Sequence, residues 1–354
     1  MPGLLPLPLI TPDLPGTGGV IKTRPRCFQV EEIPLYHPCG RGEHIYLCLR
    51  REGQTTRRLQ QELARRLGLA ESAVGFAGLK DKQALTTQVF SLHLPGGDPR
   101  RVARQVAESL PVEVLWAERH TNKLRRGHLL GNRFRIFIAE PGPQAASCAR
   151  AVLEALERRG LPNYFGPQRF GLEGDNAARG RQALLGRGPR QKWLRRLLLS
   201  AYQGELFNRW LALRIQRGWF GRLLAGDLAK KTDTGGMFLV DDPAREQPRL
   251  EAHQITYTGP IFGAKMRPAR EAAGELEQEV LAAEDLAPGL FKRARLQGSR
   301  RPARIRPQEV SLEEVAGGLW LSFRLPKGAY ATVLLREVMK PQREENPATE
   351  PDPL

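Results

Sequence analysis

The chain has 354 residues, of which 41 % are hydrophobic and 26 % charged, the composition of a globular protein of about two domains. Its 55 lysines and arginines outweigh 38 acidic residues for a formal charge of +17, so a polyanion is the expected partner. Four scattered cysteines with no Cys-x-x-Cys and no His pair at zinc spacing indicate neither a zinc site nor a disulfide framework. The start, MPGLLPLPLI, is rich in proline and lacks a basic region, which makes it a poor signal peptide. No apolar run of about 18 residues is long enough to span a membrane, and the cytoplasm is the expected location.

Met1 to Gly19, rich in Pro and Gly, reads as an extended arm. Val20–Lys22 and Phe28–Val30 are expected as short strands around the break at Pro25. Glu43–Arg50 alternates as a strand. Thr55 or Thr56 caps a predicted helix with Leu59, Leu63 and Leu67 on one face, ended by Gly68. Asp98 caps a second, with Val102, Val106 and Leu110 inward. Val112–Trp116 reads as a strand. From Arg119 to Arg135 the chain has no acidic residue, and the run ends in GNRFRIFI, which puts Phe134, Ile136 and Ile138 on one strand face and Arg133, Arg135 and Phe137 on the other. Phe134 taken alone is most simply a core residue. Gln144–Arg159 is a predicted helix, and PNYFGPQRFG (Pro162–Gly171) is too irregular for helix or strand and reads as a built loop.

Beyond it, Asp175–Leu185 and Gln191–Arg217 read as helices, the second offering Leu194, Leu197, Leu198, Leu206, Trp210 and Leu213 to a core. Gly218–Gly263 is rich in turns with short strands such as Met237–Val240, and Arg270–Glu284 is an acidic helix. Phe291–Arg306 carries seven cations and no acid, a pattern expected to face RNA at this net charge. A strand over Gly318–Leu325 and a helix over Ala329–Met339 follow. The Pro- and Glu-rich tail from Pro341 is expected to be disordered.

One stretch organises this reading. Phe76–Leu79 has the size of a buried strand, Val89–Leu92 looks like another, and between them lies Lys80-Asp81-Lys82. A carboxylate flanked by cations stays ionised even when partly buried. Taken alone, a Lys-Asp-Lys is usually a solvated turn.

Three segments together resemble the TruD family of tRNA pseudouridine synthases: AGLKDKQALTTQ (Ala77–Gln88), PNYFGPQRFG, and LPKGAYATVLLRE (Leu325–Glu337). Weaker echoes are LRRGHLLGNRF (Leu124–Phe134) and the VIK…FQVEE region (Val20–Glu32). The resemblance covers about Val20 to Lys340, with no motif between Gly218 and Arg306. It implies an α/β (α+β) architecture in which a mixed-sheet catalytic domain is interrupted by an inserted α/β domain. The expected divisions are a flexible arm 1–19, catalytic residues 20–160, insertion 161–306, catalytic residues 307–340 and tail 341–354.

The resemblance further implies isomerisation of uridine to pseudouridine in tRNA, at position 13, without metal or cofactor. Asp81 is then the catalytic carboxylate. Lys22 is its basic neighbour, Phe134 the ring under a flipped uracil, Asn132 a hydrogen-bonding neighbour, and Phe28 and Tyr330 pocket walls. Relatives often carry Phe where Tyr330 stands. Lys80, Lys82, Arg125, Arg126, Arg169, Arg300 and Arg301 are expected to meet the RNA backbone. The sequence shows no obligatory protein partner. A non-catalytic tRNA-binding protein would need the cations but not Asp81. A metal-dependent nuclease would need clustered carboxylates, and neither Glu31-Glu32 nor Asp241-Asp242 is tied to Asp81 by any pattern.

Overall fold

The computed structural model describes residues 7–287 and 289–340; the expected disordered tail lies outside them. The chain divides into two units. The sheet unit holds Gly16–Arg150, Gln308–Gly328 and the described residues from Val338. The second unit holds the described residues up to Pro15, then Ala151–Pro307 and Ala329–Glu337.

The sheet unit contains strands β1 (Phe28–Pro34), β2 (His44–Arg51), β3 (Val74–Phe76), β4 (Leu85–His93), β5 (Glu113–His120) and β6 (Leu129–Ala139), with helices α1 (Thr56–Arg66) and α2 (Pro99–Ser109). Helix α3 (Ala145–Arg159) carries the chain across the division. The second unit contains β7 (Leu161–Pro162), α4 (Asn176–Leu184), α5 (Lys192–Gln216), β8 (Leu228–Lys231), β9 (Met237–Leu239), α6 (Pro243–Glu251), β10 (Ile255–Ile261), α7 (Glu271–Ala282), α8 (Leu290–Arg293), β11 (Ser299–Pro302) and β12 (Arg304–Ile305). The sheet unit then regains β13 (Gln308–Val315) and β14 (Gly318–Pro326), and α9 (Ala331–Met339) closes the described chain. No helix among the described residues is long and apolar enough to cross a membrane.

The eight-stranded sheet runs β13-β14-β6-β1-β4-β2-β5, with β3 also on β4. Among the described residues, β1 and β4 are the one parallel pair of this sheet. The C-terminal strand β14 pairs with β6 from Gly318↔Ala139 to Pro326↔Gly131, so the late segment completes a sheet that the early segment leaves open. Period-two alternation decides the faces. Ile45, Leu47, Leu49, Phe90 and Leu92 point to one side, where Leu59 and Leu63 of α1 and Val102 and Val106 of α2 cover them. Both helices start at the predicted caps: Thr55 Oγ1 accepts from the Arg58 N–H, and an Asp98 carboxylate oxygen accepts from the Arg100 N–H.

In the second unit, β11-β10-β8-β9 form an antiparallel sheet. Buried Leu198, Leu206, Phe207 and Trp210 of α5 supply much of its core, while Leu197 is 41 % exposed. The segment where sequence pattern was weakest, 218–263, holds β8, β9, α6 and β10. Helix α6 contains Pro248, which masks its pattern, and it is capped by Asp242, whose Oδ1 accepts from the Ala244 and Arg245 N–H groups. In the stretch read as an extended arm, the Ile10 and Thr11 N–H groups donate to the buried Glu337 carboxylate of α9 at 2.8 and 3.1 Å. Val20–Lys22 makes only a single bridge, Val20↔Ala139, because Gly18, Gly19 and Lys22 all have positive φ.

The second unit also buries a complete ion pair. Arg214 and Asp227 are 0 % and 1 % exposed and meet at 2.6 and 2.7 Å, with the guanidinium 3.7 Å from the Tyr257 ring centre. Arg214→Met strands the Asp227 charge and should cost about 3–5 kcal/mol of unfolding free energy, whereas Arg214→Met combined with Asp227→Leu should recover part of it. Urea unfolding of the two variants checks this.

Candidate active site

Strand β4 offers one edge to two short partners. β1 pairs with it over Leu85–Thr87, and β3 over Phe90–Leu92. Between them the edge at Gln88 is left to side chains. β1 alternates Phe28, Val30, Glu32 toward one face, so an acidic residue arrives in an apolar layer. Glu32 is 1 % exposed and needs a cation. Lys80 supplies it: its Nζ, 6 % exposed, lies 2.6 Å from Glu32 Oε2. Gln88 Nε2 donates to the same oxygen at 3.2 Å and to the Gly78 carbonyl at 2.7 Å. Gln88 Oε1 in turn accepts from Arg51 Nη2 and Thr56 Oγ1, both at 3.1 Å. Thr56 Oγ1 accepts the Lys80 backbone N–H at 3.0 Å. Both the backbone and the side chain of Lys80 are therefore fixed.

Burial pushes the Lys80 amine down and Glu32 pulls it part of the way back. Burial lowers Arg51 to about 10, with Glu32 again opposing. The loop passes close over this cluster. A Cβ on Gly78 would sit 2.8 Å from Lys80 Nζ and 3.0 Å from Glu32 Oε2, so only glycine fits without displacing the pair.

The next residue is Asp81. Its side chain is 39 % exposed, and Oδ2 accepts from Lys22 Nζ at 2.8 Å. Oδ1 accepts from the Gln83 N–H at 3.1 Å. Lys22 is held with φ of 61° and its ammonium lies 5.0 Å from the Phe28 ring centre, a backbone conformation that costs a non-glycine residue energy. Burial pushes the Asp81 carboxyl up, but the Lys22 contact and the Gln83 and Lys82 N–H groups outweigh it and leave the pKa below the ordinary 3.8. Asp81 is an anion at neutral pH.

Phe28 and Phe134 share the face that carries Glu32. Phe134 stands opposite Val30 and Asn132 opposite Glu32. Phe28 and Phe134 are 5 % and 6 % exposed, and Phe134 stacks on Phe323 at 5.3 Å and 26°. Asn132 Oδ1 is buried without a hydrogen-bond partner among the described residues. Tyr330 falls in the second unit, its ring 6.0 Å from Phe165.

The cations expected to face RNA divide. Lys82, Arg125 and Arg126 are exposed. Lys80 is not; it is committed to Glu32. Arg300 is 2 % exposed, ion-paired to Glu277 and bonded to Thr258. Arg301 donates to the Asn163 carbonyl and to Oδ1, at 3.0 and 2.7 Å, and lies 4.1 Å from the Phe165 ring centre. Both lie in β11, paired opposite Pro260 and Gly259 of β10, so neighbouring elements take up their guanidiniums. The exposed cations of that stripe are Lys292, Arg293, Arg295 and Arg306. Arg169 is half-buried, bonded to Ser200 and 5.3 Å from the Phe165 ring centre.

Gln88 and Arg51 carry no role in the sequence pattern, Thr56 appears there only as a possible helix cap and Glu32 only as half of an acidic pair not tied to Asp81, although Glu32 and Gln88 lie inside the quoted motifs. The available signal was Glu32 itself, an acid at an inward strand position. Glu32 also reaches Asp81, through Lys80, where no spacing rule connects them.

The mixed sheet and its cation-held carboxylate are those of an α/β enzyme. The family model for tRNA pseudouridine synthase D (TruD) matches residues 7–187 and 187–338, and the chain belongs to the TruD family of tRNA pseudouridine synthases. It is 48 % identical over 350 residues to a tRNA pseudouridine synthase D of Thermus thermophilus, covering 98 % of this chain and 96 % of the relative. It is 47 % identical over 348 residues to one of Anaeromyxobacter dehalogenans, covering 96 % and 97 %. A crystal structure of a Methanosarcina mazei protein assigned as tRNA pseudouridine synthase D shares the fold, with a TM-score of 0.73 at 22 % identity over 94 % of this chain and 96 % of that one.

Glu32→Gln leaves a buried ammonium without its carboxylate and should cost about 3–5 kcal/mol as well as turnover. Glu32→Leu with Lys80→Met should regain much of the stability while kcat stays low, because the loop has lost its tether. Urea unfolding and steady-state kinetics separate the two effects; a double variant with normal kcat would limit the pair to a structural role.

Proposed function

We propose that the chain isomerises uridine to pseudouridine in tRNA, at position 13, with Asp81 as the reacting carboxylate. The observation that carries this is Asp81 itself: anionic, 39 % exposed, and fixed by Lys22 on one oxygen and by the Gln83 N–H on the other. The reaction breaks the N-glycosidic bond, turns the base and joins C5 to the same sugar carbon. No atom is added except in exchange of the C5 proton for one on N1. An ionised carboxylate serves such a reaction as nucleophile or base, and Lys22 keeps Asp81 in that form.

The target base leaves its stack to be reached. Phe28, whose ring lies 5.0 Å from the Lys22 ammonium that holds Asp81, and Phe134 on the same sheet face would serve as its apolar walls. The unpaired Asn132 Oδ1 is an acceptor suited to the uracil N3–H. Lys82, Arg125 and Arg126 are exposed cations for neighbouring phosphates. In this proposal residues 20–160 and 307–340 are catalytic and 161–306 are the insertion, whereas the compact units change over at Arg150/Ala151 and group Ala329–Glu337 with the second unit.

Asp81→Asn removes the charge at nearly constant shape. It should melt near wild type and bind tRNA, yet release no tritium from C5-labelled uridine in tRNA. Measurable release by the purified variant would contradict the assignment. Intact binding with no release from the wild-type protein would favour a non-catalytic tRNA-binding protein.

A further inference from the structure

The two faces of the eight-stranded sheet treat their arginines differently. On the face away from α1 and α2, they are neutralised in place. Arg50 pairs with Glu113 at 3.0 Å, Arg133 with Glu31 at 3.2 Å and Glu309 at 2.9 Å, Arg135 with Glu313 at 3.2 Å, and Arg324 with Glu309 at 3.4 Å. On the helical side, α1 and α2 turn their apolar residues to the sheet and carry Arg57, Arg58, Arg66, Arg100, Arg101 and Arg104 outward, all exposed. None of these six is in an ion pair among the described residues; of the arginines on the two helices only Arg65 has one, with Glu62.

The helices are joined, Gln105 of α2 donating to the Arg66 carbonyl of α1 at 3.0 Å, so the six charges form one surface. Two pairs, Arg57-Arg58 and Arg100-Arg101, occupy first turns that contain no acidic residue. A helix dipole disfavours cations there. The arrangement thus works against both local helix stability and charge balance, while the same sheet's other face is balanced.

This surface is also tied to the carboxylate loop. Thr56, the first residue of α1, accepts the N–H of Lys80, the neighbour of Asp81. From that point α1 runs 11 residues, about 16 Å at helical rise.

We propose that the outer face of α1 and α2 binds the phosphate backbone of duplex RNA, taking the helical arm of the tRNA that continues from the nucleotide held at Asp81. This rests on the proposed function above. Guanidinium forks match phosphate oxygens, and A-form duplexes are recognised through backbone and shape.

The test uses the full chain with Arg57, Arg58, Arg101 and Arg104 all changed to Gln, and a second variant with the same four changed to Lys. The dissociation constant for an unmodified tRNA transcript is measured between 50 and 200 mM salt, beside melting curves. The Gln variant should melt like wild type, bind about tenfold or more weakly, and lose about 0.7–0.9 in salt slope for each phosphate contact removed. The Lys variant should keep most of the slope. A Gln variant with wild-type affinity and slope overturns the proposal and leaves the face for an acidic protein or for no partner. Should the quadruple variant misfold, the Arg57/Arg58 and Arg101/Arg104 pairs are changed separately and judged by the same slope. If the wild-type protein makes no pseudouridine but the slope still depends on these arginines, the RNA face stands and the enzymatic reading falls. If turnover is normal and the slope is unaffected, the face alone is wrong.

Discussion

The ion pair between Glu32 and Lys80 is the constraint on which the rest of the site depends. It places a charge of each sign in the wedge where β1 and β3 both leave the edge of β4. A wedge filled only by apolar side chains would leave the Gly78 carbonyl and the Lys80 N–H buried and unmatched, at a cost comparable to lost hydrogen bonds. Instead Gln88 and Thr56 serve those two groups, at 2.7 and 3.0 Å, and Glu32 and Arg51 complete the cluster. A buried pair of this kind is weak evidence for net stability. Its better-supported use is to specify one arrangement, and the arrangement specified is the loop that ends in Asp81.

Asp81 then inherits its position from its lysine neighbours and the cluster behind them. Lys80 is locked inward, so the chain must present Asp81 outward at the next position. Lys22 reaches it from a separate segment in a left-handed backbone conformation, braced over the Phe28 ring. Two lysines that are close in space therefore do different work. The buried one answers Glu32 and orients the loop, while the half-buried one answers Asp81 and keeps it charged.

Much of this was legible in the sequence, and the reasons differ by element. The helices α1 and α2 announced themselves by caps and apolar spacing, and β6 and β14 by strict alternation. The functional segment stood out because a carboxylate between lysines ended an apolar run, and three motifs in order identified the family. Long-range partnerships were not legible. Nothing in the spacing of Glu32 and Lys80 says that they meet. Arg300 and Arg301 looked like part of an exposed stripe because a run of cations carries no sign of which side chains a neighbouring strand will take up. Helix α6 was hidden by an internal proline, and β8 and β10 by turn-rich surroundings. Composition alone could not distinguish the balanced arginines on one sheet face from the unbalanced ones on the other, since that difference exists only once the strands have brought Glu31, Glu309 and Glu313 alongside.

The proposed chemistry turns on Asp81 being held as an anion by Lys22. The most direct measurement is a carbon-13 NMR titration of the Asp81 carboxyl in the full chain and in Lys22→Met. In the wild-type protein the carboxyl should titrate below the ordinary 3.8, because the lysine and the loop N–H groups outweigh burial. In the variant burial is less opposed, so the midpoint should move upward and the acid limb of tRNA modification with it. A wild-type midpoint at or above 3.8, or one that does not move when Lys22 is removed, would contradict the claim.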